Sequence, residues 1–481
     1  MTKRAIRILF LTLFISSLVL TACQPAATEE PTTEPTKAPP PTEVPPTEAP
    51  PPTEPPPPPE PTGPYGVTAE DLQGVEVEFW HVWSRSVGEA IEALAAEFTA
   101  TNEYGITVTA INQGGYSDMF NNMNAAINTG DLPDLVVGYN NQYLSWDAAG
   151  DVIEDLTPYV ENESFGYTAE EVADFYPAFW ASDTIGDERL GIPAQRSGQY
   201  YFYNYTWAQE LGFDSPPTTP AEFKEQACAS AAANDADDDP ANDGTGGVFF
   251  KAEASTIVGW IWGFGGEVEV PGVGYDFDTP EALETWTFWH ELLSEGCAWT
   301  PEAAYPNPEF AARLGLFFGS SIAGVPYQES DMADAGNDDV WGPIPFPTVT
   351  GEPVVDLYGP SFAMVISTPE EQLATWLFMK WFTEPENQAK WIEASAYYPT
   401  RASVLDLLGD YMESNAKWAD SLANLVYGKV EPRFESWSSV RYTLADAFAL
   451  LNQEGFTVDQ IPQILADLQA EADELHAETM E

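Results

Sequence analysis

The chain has 481 residues, with 17 Lys+Arg against 77 Asp+Glu and a formal charge of -60 at pH 7. That balance excludes nucleic acid as a partner, because phosphate backbones require a basic surface. It also disfavours an anionic small ligand unless a few cations are gathered in one cleft.

Lys3, Arg4 and Arg7 precede an apolar run from Ile8 to Leu20, too short for a membrane span of ~20 residues. A basic start, an apolar run and small residues before a cysteine read as a secretory signal. Its end, Leu20-Thr21-Ala22-Cys23, resembles the lipobox of bacterial lipoproteins. The resemblance implies a signal peptide over 1–22, diacylation of Cys23 as the new N-terminus, and an extracytoplasmic protein lipid-anchored to the cell membrane. The alternative is an ordinary cleaved signal with an incidental cysteine. Residues 23–64 are nearly all Pro, Thr, Glu and Ala. Such a tether cannot bury enough surface to offset its ordering entropy, and its prolines favour extended polyproline II. At ~3.1 Å per residue its reach is on the order of 120 Å.

From Tyr65 the composition becomes globular, and the remaining length suits two domains. Val75–Trp80 alternates as a half-buried strand, and Glu89–Thr99 places Ile91, Leu94, Ala95 and Phe98 on one helical face. Ile106–Ile111 reads as a strand, Phe120–Asn128 as a helix and Leu135–Val137 as a buried strand. This β-α-β-α-β opening argues for a mostly parallel α/β sheet. Helical patterns follow at Pro280–Ser294, Pro369–Phe382, Gln388–Ala394, Arg441–Asn452 and Val458–Glu478. Once Cys23 is assigned to lipid, Cys228 and Cys297 remain. An even pair in an exported chain favours a disulfide over two buried thiols.

The run Ala125–Val160, AAINTGDLPDLVVGYNNQYLSWDAAGDVIEDLTPYV, resembles the central signature of the family 1 extracellular solute-binding proteins, the sugar-capturing subunits of ABC importers related to maltodextrin-binding protein. Further blocks stand in the family's order: GIPAQRSGQYYFYN at Gly191–Asn204, LGFDSPPTTPAEFKEQA at Leu211–Ala227, FGSSIAGVP at Phe318–Pro326, the Gly359–Phe382 segment, and Trp437-Ser438-Ser439-Val440-Arg441. The resemblance implies an α/β, two-lobed periplasmic-binding-protein-like fold of type II, with ligand held in the cleft between lobes. Transferred to this chain, one lobe is 66–194 with 361–410 and the other 195–360 with 411–481. Hinges are then expected at Gln195–Gln199 and Leu357–Ser361.

A sugar offers apolar C–H faces to aromatic rings and a rim of hydroxyls to amides, carboxylates and guanidinium groups. Trp83 and Arg85 follow the first strand, and Tyr116 the second, at strand carboxyl ends where α/β sheets bind ligands. Asn140, Asn141 and Gln142 form a loop where the relatives place polar sugar contacts. The maltodextrin relative has a carboxylate and a guanidinium where Asn141 and Gln142 stand, so a different sugar is expected. Tyr327 and Trp437 occupy the family's two stacking positions, with Trp437 ranked first. Glu253 and Trp260 resemble the ligand-facing loop and helix of the second lobe. Arg196, at the first crossover, is either a cleft ligand or an interlobe ion pair.

Asp235, Asp237, Asp239 and Asp243 alternate like the start of a calcium loop, although Pro240 and Gly246 stand where an EF-hand needs Gly and Glu. The choice there is a calcium site or a solvated acidic loop; no other cofactor is expected. The expected function is a monomeric, non-catalytic receptor that captures a saccharide by hinge closure and delivers it to ABC permease subunits. The rivals are a surface carbohydrate-active enzyme, which needs two carboxylates across a sugar ring, and the same fold taking a cationic or peptide ligand.

Overall fold

The computed structural model describes residues 62–480. The expected signal peptide, Cys23 and nearly all of the tether lie outside the described residues.

The first sheet begins as the alternating pattern requires. Strand β1 (Glu76–His81) turns Val77, Phe79 and His81 inward. It pairs in parallel with β2 (Thr107–Asn112) and β3 (Leu135–Gly138). A late strand, Ser361–Met364, adds antiparallel to β3, giving a mixed four-stranded sheet. Helix α1 (Arg85–Thr101) packs on it through Val87, Ile91, Leu94 and Phe98. Each such side chain withdrawn from water contributes about 1.5–3 kcal/mol. Helices α2 (Tyr116–Thr129) and α3 (Asn140–Gly150) each start directly beyond the carboxyl end of a strand. The three helix N-termini therefore gather at one edge of the sheet.

The second sheet is built on β4 (Ser197–Asn204), every residue of which is buried. It pairs antiparallel with Phe317–Ser321, with Trp341–Ile344 and with β5 (Val355–Tyr358). Gly428–Val430 extends the sheet beyond β5. Helix α4 (Ala254–Gly263) is buried along its whole length, and α5 (Trp437–Ala449) packs beside it.

The chain passes between the sheets where both hinges were expected. Arg196 pairs with Tyr398, and Tyr358 with Ser197. At Gly359 a Cβ atom would lie 2.7 Å from the Arg196 Cα, so only glycine allows the two crossing segments to approach so closely. Cys228 and Cys297 are joined in a disulfide that closes a separation of 69 residues.

Candidate functional site

A cavity of about 840 Å³ lies between the edge of the first sheet and the helices of the second. That volume falls in the ~300–1,000 Å³ range of small-molecule sites. Trp83, Arg85, Tyr116, Asn141, Gln142, Glu253 and Tyr327, all expected from sequence, share its lining.

Aromatic rings make much of the wall. Tyr116 and Tyr139 pack with centroids 4.5 Å apart, and Tyr139 meets Tyr358 edge-on at 5.9 Å. The Tyr116 hydroxyl lies 3.2 Å from that of Tyr397, which in turn accepts a bond from Trp83 Nε1 at 3.1 Å. Burial holds the Tyr116, Tyr139 and Tyr358 phenols well above their usual range, and pushes Tyr397 up to about 12. They are neutral hydrogen-bonding rings at any physiological pH.

The polar groups come from helix starts. Asn141 and Gln142 occupy the first turn of α3 rather than a loop, because an amide suits that turn: Gln142 Oε1 accepts from the Tyr139 N–H at 3.0 Å. Asn141 is buried and its Oδ1 has no partner; the same holds for Ser197 Oγ, and both residues line the cavity. Arg85 sits at the start of α1 with φ 53°, a left-handed conformation uncommon for a non-glycine residue. It reaches Asp331 across the cavity mouth at 3.4 Å, and the Tyr327 hydroxyl donates to the Ser84 carbonyl at 3.3 Å.

Glu253 was expected, but the charged floor that it forms with Arg441 and Glu431 was not. Glu253 caps α4, accepting from the Ser255 and Thr256 N–H groups at 3.2 and 3.0 Å, and pairs with Arg441 at 3.2 Å. Arg441 also grips Glu431. Burial works against its charge, yet Glu431 and Glu253 hold the guanidinium above its ordinary range. Behind them Asp356 is fully buried beside Glu431, and burial together with Glu431 raises it well above the carboxylate range.

Several expectations are corrected. Trp437 is 1% exposed, donates to Glu431 at 2.7 Å and stacks on Tyr275, so it belongs to the core. Helix α5 begins at Trp437, four residues before the expected start, and turns Ser438, Arg441 and Tyr442 to the cavity instead. Trp260 is wholly buried in α4, with its Nε1 on the Tyr201 hydroxyl at 2.8 Å. Arg196 takes the ion-pair alternative: it lies 3.0 Å from Asp183 and bonds Ser182 and Ser361, bracing the crossover outside the lining. Asn140 turns its Oδ1 back onto the Asn141 N–H and stays outside too. The acidic loop also lies outside the lining, and there Asp235, Asp237 and Asp239 each accept a backbone N–H from within the loop through one oxygen. Among the described residues the only close trio of metal-ligand atoms is Cys228, Glu295 and Cys297, whose sulfurs are bonded to each other.

A sequence model of the family described as bacterial extracellular solute-binding protein matches residues 93–422. The chain belongs to that family. Comparison with curated proteins finds no match, but solved structures do match across most of this solute-binding protein. The GacH receptor of Streptomyces glaucescens, solved unliganded and with acarbose, is 15% identical with a TM-score of 0.71, covering 83% of this chain and 99% of that one. UgpB of Mycobacterium tuberculosis, in complex with glycerophosphocholine, is 19% identical with a TM-score of 0.71, covering 84% and 99%. The cyclic alpha-maltosyl-1,6-maltose binding protein of Arthrobacter globiformis is 20% identical with a TM-score of 0.67, covering 83% and 99%. At these identities the likeness establishes the fold, the two-lobed α/β architecture expected from sequence. The family is extracellular, and no described helix is long and apolar enough to cross a membrane.

Proposed function

We propose that this solute-binding protein captures a sugar or oligosaccharide between its two sheets and hands it to the permease of an ABC importer. One observation carries the reading: the cavity sets neutral tyrosine rings opposite amides and hydroxyls, with Asn141 Oδ1 and Ser197 Oγ buried and unpaired. Rings suit the C–H faces of a pyranose, and the two orphaned oxygens suit its hydroxyl donors.

The two carboxylates of the lining are both engaged, Glu253 in capping α4 and holding Arg441, and Asp331 with Arg85. Neither is free to act as a glycosidase acid or base, or as the counter-charge of a cationic ligand. This supports a non-catalytic receptor. Closure is proposed to work at the crossing strands near Gly359, with the Arg85–Asp331 and Tyr327–Ser84 contacts fastening the mouth. Tethering through Cys23 would keep the head near its permease. The test is thermal-shift screening against saccharides, polyamines and peptides. A midpoint raised by a saccharide supports the proposal, and one raised only by an amine or a peptide refutes it.

A further inference from the structure

In a chain of charge -60, the cavity lining carries the opposite balance: Arg85, Lys251 and Arg441 against Glu253 and Asp331. Two of these cations are already matched, Arg85 by Asp331 and Arg441 by Glu253 and Glu431. Lys251 is not. Elsewhere Lys224, Lys380, Lys390, Lys417 and Lys429 each lie 2.6 to 3.8 Å from a carboxylate oxygen. Lys251 alone among the described lysines forms no such pair, although acidic groups are abundant.

Its position is built rather than incidental. Lys251 follows the short strand Val248–Phe249 and donates from Nζ to the Ala304 carbonyl at 2.6 Å. The ammonium lies 5.2 Å from the Tyr305 ring centroid and 6.0 Å from that of Phe318, and both rings line the same cavity. Two of its three N–H donors remain for a ligand. The one carboxylate close in sequence, Glu253, is turned to the α4 N–H groups and Arg441.

We propose that the ligand is a saccharide bearing one acidic group, the carboxylate of a uronic acid or a phosphate ester, and that Lys251 is its counter-ion. This rests on the sugar-binding reading and narrows it. Burial holds the Lys251 ammonium below its usual range, with Glu253 pulling the other way. An incoming anion restores the charge that burial disfavours.

The experiment is calorimetric titration of the intact protein at low ionic strength with matched probes: uronate-containing di- and trisaccharides against their neutral counterparts, and sugar phosphates against the free sugars. An acidic probe should bind at least tenfold tighter than its neutral match, with the uronate and phosphate arms showing which acid is read. Lys251→Gln should abolish the preference of the protein for an acidic probe over its neutral match, and Lys251→Arg should keep it. Raising salt should shrink the gap. Near-UV circular dichroism establishes that each variant is folded. The proposal is overturned if neutral sugars bind as well as their acidic matches, a result that leaves sugar capture intact. It is overturned together with sugar capture if no saccharide of either kind binds.

Discussion

Replacing Trp437 with alanine separates a core residue from a ligand platform. The indole is 1% exposed, stacks on Tyr275 at 5.6 Å and donates to Glu431 at 2.7 Å. Removing a buried Trp costs about 3–5 kcal/mol, and the weakened hold on Glu431 adds ~1 kcal/mol. With an unfolding entropy of ~2.1 cal/mol/K per residue over ~420 ordered residues, the loss lowers the thermal midpoint by ~5 °C. Trp437→Phe keeps the stacking and costs about 1–2 kcal/mol. Scanning calorimetry reads these shifts, and titration below the transition reads affinity. The cavity takes Ser438, Arg441 and Tyr442 from this helix and not Trp437, so affinity per folded molecule should change less than threefold. A variant that melts like the wild type yet binds its saccharide tenfold more weakly would refute the placement.

Three further outcomes follow from buried groups. Burial lowers His81 from 6.5 to about 4, so the folded state resists its protonation. That contribution is complete above pH 6.5 and is lost as pH falls towards 4, by about 3 kcal/mol. His81→Phe, which fits between Phe79 and Trp83, should remove this part of the acid sensitivity in urea melts recorded at pH 4 and 7. Asp356 is the opposite case: its raised folded-state pKa means stability is lost as pH climbs from the ordinary carboxylate range to that value. Asp356→Asn should therefore gain stability over the wild type as pH rises from 4 to 8, measured by the same melts. Reducing the Cys228–Cys297 bridge, which spans 69 residues, should cost roughly 4 kcal/mol, seen as a lower thermal midpoint in reductant.

Much of the fold was legible because its signals are local. Alternation in Val75–Trp80 and the apolar face of Ile91, Leu94 and Phe98 place β1 and α1 within a few residues of where they stand. Pro280–Ser294 and Pro369–Phe382 match their helices end to end, since a Thr cap and an N-terminal Pro mark each start. The residues at strand carboxyl ends, Trp83, Arg85 and Tyr116, do reach the cavity. What sequence did not reveal is helix rotation. Trp437 and Arg441 stand on one helix, and only packing against Tyr275 and Glu431 decides which enters the core. The same holds for Trp260, whose helix is buried on every side. Arg196 found Asp183 through a contact invisible to local pattern. Tyr139 follows the expected strand Leu135–Val137 and the strand-end rule reaches it, whereas Lys251 and Tyr358 sit at the ends of strands Val248–Phe249 and Val355–Tyr358, which no local pattern marked.

Sugar capture in the tyrosine-lined cavity is tested most directly by titrating the wild type and Tyr139→Ala with the saccharide that most raises the thermal midpoint. Tyr139 packs between Tyr116 and Tyr358 at the cavity wall, where a ring–sugar contact is worth on the order of 1.4 kcal/mol or more. The wild type should bind one equivalent, and the variant, folded by circular dichroism, should bind at least tenfold more weakly. Equal affinity in the two proteins, or no heat with any saccharide, would contradict the account.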